Sequence, residues 1–153
     1  MASARRRWLA HCSAALAAAA WLAAMPSLAG AAARSQTILV VGDSLSAEYG
    51  LTRGSGWVAL MAAKLKDRKP DVAVVNASIS GDTTSGGRSR LPSLLKMHHP
   101  KIVILELGAN DALRGVPLNT TEDNLRTIIE QAQQGHAKVV LVGMYVPPNY
   151  GPD

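Results

Sequence analysis

The sequence is poor in aromatic residues, cysteine and acidic residues, and each shortage limits what the protein can be. Aromatic residues make up 4% of the 153 residues and phenylalanine is absent, so the core must be built from aliphatic side chains. The single cysteine, Cys12, excludes a disulfide within the chain. The 11 acidic residues stand against 16 Lys and Arg, which gives a net charge of +5.

That positive charge does not indicate a nucleic-acid partner, because much of it lies at the start of the chain. Arg5, Arg6 and Arg7 are the only charged residues before position 30. After residue 29 there remain 13 basic and 11 acidic residues, a net charge of only +2. A polyanion-binding protein normally carries a much stronger basic surface. We therefore expect no nucleic acid among the partners of this protein.

The first 29 residues are typical of a secretory signal peptide. A basic start at residues 5–7 is followed by a run rich in Ala and Leu and then by a short exit, Pro26-Ser27-Leu28-Ala29. Cleavage after Ala29 would remove Cys12 and leave an exported, periplasmic or secreted domain over residues 30–153. A retained membrane helix is the alternative, but the polar residues at 11–13 make a poor span. We expect no stable membrane span in the mature chain.

The mature sequence alternates between buried strands and helices. Continuous apolar runs rich in β-branched residues predict strands at 37–42, 72–75, 102–107 and 139–143, each covered on both faces. Helical spacing predicts helices at 56–68, 91–97 and 122–134, the last capped by Thr120 or Thr121, with a loop over 80–87. This alternation predicts one α/β domain with a doubly wound, flavodoxin-like parallel sheet and helices on both faces.

Three strands of this sheet are followed by residues suited to acyl transfer. Ser44 follows the first strand, Gly81 lies in the loop after the second, and Asn110 follows the third. The carboxyl ends of parallel strands meet at one edge, where such sheets bind ligands. A hydroxyl nucleophile with a backbone N–H and an amide donor nearby can attack a carbonyl and stabilise the resulting oxyanion. Each motif alone is common in turns, but the three in order predict a catalytic site.

The motifs also resemble a known family. Gly42-Asp43-Ser44-Leu45, then Gly81, then Gly108-Ala109-Asn110-Asp111, together with the strings at 74–84 and 105–115, resemble the SGNH (GDSL) hydrolases, in their bacterial arylesterase, thioesterase I and lysophospholipase L1 branch. The resemblance covers nearly all of residues 37–151. It implies an SGNH-type fold and an ester hydrolase acting on small acyl esters, thioesters or lysophospholipids, with no metal or organic cofactor.

The same resemblance assigns a role to each site residue. It implies that Ser44 is the nucleophile and that its own N–H, the N–H of Gly81 and the amide of Asn110 form the oxyanion hole. It leaves supporting positions for the neighbours of these residues, namely Gly42, Asp43, Gly108 and Asp111.

Two departures from the family pattern affect the expected activity. The family's Asp-x-x-His block near the C-terminus, which supplies the general base, has no counterpart here. We therefore expect a C-terminally truncated domain that lacks its last strand and helix and is inactive or nearly so alone. The second departure is Glu48, at a position where a small residue is expected; it either alters the pocket rim or is simply solvated.

No other residue of the mature chain offers a suitable base. His98, His99 and His136 precede the third and fourth strands and should lie at the opposite edge of the sheet from Ser44. Aspartates lie on the correct edge, but a carboxylate is a poor general base for a serine hydroxyl; these are Asp43, Asp82 and Asp111.

Two other functions fit parts of the sequence. A non-catalytic periplasmic ligand-binding module would need no base, and a flavodoxin-like signalling domain fits the sheet but not the export signal.

No His, Cys and Asp cluster has metal-ligand spacing, so we expect no metal site. The modest basic face is interpreted as solvated surface; it comprises Arg88, Arg90, Lys96 and Lys101.

Overall fold

A computed structural model describes residues 36–145 of the chain. The predicted signal peptide at 1–29 lies outside the described residues, so its removal and the domain boundary at residue 30 stay predictions. Within 36–145 the elements are, in chain order, β1 (Gln36–Gly42), α1 (Trp57–Arg68), β2 (Val72–Asn76), α2 (Thr84–His98), β3 (Ile102–Glu106), α3 (Ala109–Leu113), α4 (Leu118–Gln134) and β4 (Lys138–Leu141).

The strands form a parallel sheet in the order β2-β1-β3-β4. At the carboxyl edge, Val40 is level with Asn76 of β2, and Gly42 is level with Glu106 of β3. From β1 the chain first adds β2 on one side and then returns to add β3 on the other. The gap between β1 and β3 is therefore the topological switch point, where open α/β sheets bind ligands. The predicted doubly wound parallel sheet is confirmed.

Helices cover both faces of the sheet because consecutive side chains of a strand point to opposite sides. Leu39 and Val41 of β1 pack with Leu91 of α2 and Ile128 of α4, all four being fully buried. Val40, between them in sequence, packs on the other side with Val58 of α1. The aliphatic core expected from the scarcity of aromatic residues is thus divided into two layers.

The predicted start of α2 is wrong. The helix begins at Thr84, within the segment predicted as a loop, and not at Leu91. Thr83 caps it, since its side chain accepts a hydrogen bond from the N–H of Gly86. A Cβ at Gly87 would overlap the end of the Leu107 side chain, so that one of the two would have to shift. Gly87, one of the glycines that suggested a loop, therefore allows close packing of the helix against Leu107.

The start of α4 and the presence of α3 also differ from prediction. Residue Pro117 stands at the N-cap of α4, one turn before the predicted Thr120 or Thr121, and the fixed φ of proline suits a helix start. The short helix α3 (Ala109–Leu113) was not predicted, because five residues are too few to show a helical period.

Strand β4 is less covered than its apolar sequence predicts. Among the described residues it pairs only with β3, and Val140 and Leu141 are 50% and 51% exposed.

No helix within residues 36–145 is both long and apolar enough to cross a membrane.

Candidate active site

The segment after β1 forms a series of tight turns over residues 44–50. The carbonyl of Asp43 accepts hydrogen bonds from the N–H groups of Ser46 and Ala47 at 3.2 and 2.9 Å. Its carboxylate accepts a third from the N–H of Leu45 at 3.0 Å. This Asx-turn arrangement fixes the backbone on both sides of Ser44. Asp43 is buried, whereas Ser44 is half-buried and reaches the surface of the protein.

Asn110, which follows β3, joins the segments that follow β1 and β2. Its Nδ2 donates to Oδ2 of Asp43 at 3.0 Å and to the carbonyl of Asp82 at 2.9 Å. The predicted donor is therefore held rigidly beside the residue that precedes Ser44. Both N–H groups of the amide already have acceptors, so the predicted oxyanion role requires a substrate oxygen to share one of these hydrogens or to replace an acceptor.

Gly81 lies in the same group of loops but does not line the cavity beside Ser44. Its φ of +80° is a conformation that glycine adopts without strain and other residues rarely adopt. Asp82, its neighbour in sequence, accepts the bond from Asn110. Within residues 36–145, no backbone carbonyl accepts a hydrogen bond from the N–H of Ser44 or of Gly81. These two donors, which the family resemblance assigned to the oxyanion hole, therefore have no competing backbone acceptor there.

The supporting residues have distinct structural roles. A Cβ on Gly42 would come within 2.8 Å of Glu106 Oε2 and of Ser46, so only glycine fits between them. Gly108 has a φ of +129°, which turns the chain from β3 into α3. Asp111 is buried, and its carboxylate accepts hydrogen bonds from the N–H and the hydroxyl of Thr84. Asp111 thus ties α3 to the first turn of α2.

A cavity of about 580 Å³ opens between the ends of β1, β3 and β4. Ser44 and Asn110 both line it, so the structure brings the predicted nucleophile and one predicted donor to the same space. The other walls are mainly apolar and come from strands, helices and the segment after β4; they include Leu45, Leu107, Leu113, Leu125, Leu141 and Met144. Such a cavity can hold a hydrocarbon group beside a polar corner.

The described histidines lie at the other edge of the sheet, as predicted. His98 and His99 end α2 just before β3, and His136 precedes β4. Since β1 and β3 run parallel with Ile102 level with Ile38, these residues flank the strand beginnings and not the strand ends. No cluster of His, Cys, Asp or Glu in the part of the chain that the structure describes could hold a metal ion.

The similarity of the chain to a known family extends over most of its length. The model of the GDSL-like lipase/acylhydrolase family matches residues 40–153, a range that includes every predicted site residue. The chain belongs to the GDSL-like lipase/acylhydrolase family. The predicted SGNH (GDSL) assignment is confirmed.

Individual members of the GDSL-like family are closely similar to the chain. It is 52% identical over 120 residues to Esterase TesA of Pseudomonas aeruginosa, covering 78% of this chain and 60% of that protein. It is 45% identical over 120 residues to thioesterase 1/protease 1/lysophospholipase L1 of Escherichia coli, covering 78% and 56%. A crystal structure of TesA superposes with a TM-score of 0.74 at 52% identity, covering 76% of this chain and 65% of the other. The chain thus spans less than two thirds of the length of these relatives.

Glu48 departs from the expected small residue of the GDSL-like family and has a role that neither sequence interpretation anticipated. Its carboxylate accepts hydrogen bonds from the N–H groups of Gly54 and Gly56, at 2.9–3.0 Å. These bonds lower the pKa of the Glu48 carboxyl group. The residue has a φ of +59°, a left-handed conformation that costs free energy for a side chain with a Cβ. Its hydrogen bonds offset this strain by closing the loop that leads into α1.

Glu106 is a site residue that the sequence analysis missed. It ends β3 and is 3% exposed. Its Oε2 accepts a hydrogen bond from the hydroxyl of Ser46 at 2.6 Å and a longer one, 3.4 Å, from the N–H of Asp43. Ser46 in turn accepts from Nε1 of Trp57 at 3.1 Å. Glu106 therefore binds the residues on both sides of Ser44 and holds the turn in place from the interior of the protein. A glutamate inside an otherwise apolar strand was the signal that could have identified it.

Burial raises the pKa of the Glu106 carboxyl group, and the nearby Asp43 carboxylate raises it further, while the bond from Ser46 acts in the opposite direction. An acid with a raised pKa in the folded state stabilises the fold below its ordinary pKa, and this contribution is lost as the pH rises through the raised value. We expect the free energy of unfolding of Glu106→Gln, relative to the unmodified protein, to increase from pH 4 to pH 8. Urea unfolding of both proteins at several pH values in this range measures the difference.

The matched control for this prediction is Glu130→Gln, a change at an exposed position of α4. Its stability relative to the unmodified protein should stay nearly constant over the same pH range. A relative stability of Glu106→Gln that stays flat or declines toward pH 8 would contradict the assigned burial effect.

Proposed function

We propose that the protein is an exported carboxylic ester hydrolase in which Ser44 forms an acyl-enzyme. The observation that carries the proposal is the shared cavity: the hydroxyl-bearing residue and the amide of Asn110 line one space whose remaining walls are mainly apolar. A polar corner of this kind suits the reacting carbonyl, and the apolar walls suit the acyl or aryl group attached to it. Close relatives are named esterase and thioesterase 1/protease 1/lysophospholipase L1, which supports this substrate class.

The proposed substrates are aryl or short-acyl esters, extending to acyl thioesters and lysophospholipids. In the first step the Ser44 oxygen attacks the carbonyl carbon, and a general base takes the hydroxyl proton. The alcohol or thiol leaves with that proton, and water then releases the acid from Ser44 by the reverse sequence. The N–H groups of Ser44 and Gly81 and the amide of Asn110 stabilise the negative oxygen of each tetrahedral intermediate.

The proposed reaction requires a histidine from outside residues 36–145. The three described histidines lie at the opposite edge of the sheet, and the sequence contains only one more, His11, within the predicted signal peptide. We therefore propose that the 153-residue chain alone turns over esters very slowly, retaining only what the donors and the cavity supply. The lack of a described base also supports the second candidate, a non-catalytic ligand-binding module.

Turnover and covalent labelling together test the proposal. The 153-residue chain, and the chain continued through any downstream reading frame, are assayed with p-nitrophenyl butyrate and with an alkyl fluorophosphonate. We expect rapid turnover only in the longer form, and a phosphonate adduct on the peptide that contains Ser44. Rapid turnover by the 153-residue chain, or an adduct elsewhere, would contradict the mechanism. Binding of a butyrate ester without turnover in either form would favour the ligand-binding module.

A further inference from the structure

Arg90 does not belong to the solvated basic face that the sequence predicted for it. Its side chain is only 20% exposed, although it lies on α2. Its Nε donates to Oδ2 of Asp82 at 2.8 Å, and its Nη1 donates to the carbonyl of Ala77. Ala77 and Asp82 stand near the two ends of the loop between β2 and α2. One guanidinium group therefore spans this loop from within the protein.

The loop that Arg90 spans carries one part of the proposed oxyanion hole, the N–H of Gly81, and contacts another, the amide of Asn110. Gly81, with its φ of +80°, directly precedes Asp82 in the chain. The carbonyl of Asp82 accepts a hydrogen bond from Nδ2 of Asn110 at 2.9 Å, and its carboxylate also accepts one from the N–H of Thr83. Asp82 is thus the point at which the guanidinium, the Gly81 peptide and the Asn110 amide meet.

We propose that Arg90 is a positioning residue of the oxyanion hole: bound to Asp82 and Ala77, it fixes the Gly81 N–H and the Asn110 amide for the oxyanion. This inference rests on the proposed function. The planar guanidinium group offers Nε and Nη1 in a fixed arrangement, which the single ammonium group of lysine cannot reproduce. Displacing such donors by about 1 Å can slow a reaction on the order of 100-fold, so Arg90 can control the rate without touching substrate.

Steady-state kinetics of Arg90→Lys test this role, in the form of the protein that shows Ser44-dependent turnover. We expect kcat to fall about 10- to 100-fold, while KM changes less than about threefold, because oxyanion donors act in the transition state. Enzyme concentrations are corrected for the fraction of the protein that the fluorophosphonate labels, so that a loss of folded protein is not counted as a loss of kcat. The matched control is Arg126→Lys on α4, which makes the same substitution in an Arg–Glu pair of the same 2.8 Å length but at an exposed site; its kcat should not change.

Asp82→Asn provides a second test of the same unit. If Arg90 acts through Asp82, the double variant Arg90→Lys/Asp82→Asn should lose little more kcat than the stronger single variant. Backbone hydrogen exchange supplies a readout that needs no activity: amides of residues 77–83 should exchange faster in Arg90→Lys and at the normal rate in Arg126→Lys.

The possible results separate the inference from the function on which it rests. If Ser44-dependent turnover exists and Arg90→Lys keeps its kcat, or only raises KM, the positioning role is wrong and the esterase proposal stands. A lower kcat with unchanged exchange over 77–83, or additive losses in the double variant, also overturns the role. If no form shows turnover that depends on Ser44, the esterase proposal fails and the catalytic meaning of Arg90 fails with it.

Discussion

Replacing Ser44 with alanine is expected to lower kcat for p-nitrophenyl butyrate by about 10⁴- to 10⁶-fold in the form of the protein that turns over esters. Without the hydroxyl no acyl-enzyme can form, and only the donors and the cavity remain to accelerate attack by water. The substitution removes one oxygen from a half-buried side chain, so the fold should be retained. Initial rates and a thermal melt of the same preparation measure both effects.

The control for Ser44→Ala is Ser93→Ala, which removes a hydroxyl from an exposed position of α2. Its rate should equal that of the unmodified protein. Comparable activity of Ser44→Ala and Ser93→Ala would exclude Ser44 as the nucleophile, however well the surrounding motifs match the family.

Replacing Asn110 with alanine is expected to lower kcat by about 10²- to 10³-fold, the usual effect of losing one oxyanion donor, or ~2.7–4 kcal/mol of transition-state stabilisation. KM should change little, because the bond to the substrate oxygen strengthens only as negative charge develops. The melting temperature should also fall, since the bonds to Asp43 and Asp82 at 3.0 and 2.9 Å are lost. Steady-state kinetics at a temperature well below the melting transition measure the loss of kcat separately from the loss of stability.

Asn119→Ala is the control for this prediction, because Asn119 is exposed on the first turn of α4. It should leave both kcat and KM unchanged. If Asn110→Ala raises KM and keeps its kcat, the amide serves ground-state binding, and the oxyanion assignment must pass to other donors.

The strands and the grouping of the site residues were predictable because both depend on simple geometry. Strands of a covered parallel sheet are apolar along their whole length, and their carboxyl ends necessarily meet at one edge. The positions of Ser44 and Asn110 beside one cavity follow from these two rules. The same rules placed His136 at the opposite edge.

Features that depend on partners distant in sequence were not predictable. The first turn of α2 begins at Thr84, whose N–H donates to Asp111, 27 residues later. Local propensity at the glycines favoured a loop, and only the packed structure decides for a helix. Arg90 and Asp82 are eight residues apart, on a helix and in a loop, so no helical spacing rule pairs them. The charge of Arg90 therefore suggested exposed surface.

The hydrogen bonds of Asn110 have a consequence for engineering. Because this amide ties the turn after β1 to the loop after β2, neither segment keeps its geometry independently of the other. A chimera that takes one of these segments from a distant homologue would leave a mismatched joint at the amide. Grafts meant to alter selectivity should therefore transplant all three strand-end segments as a set.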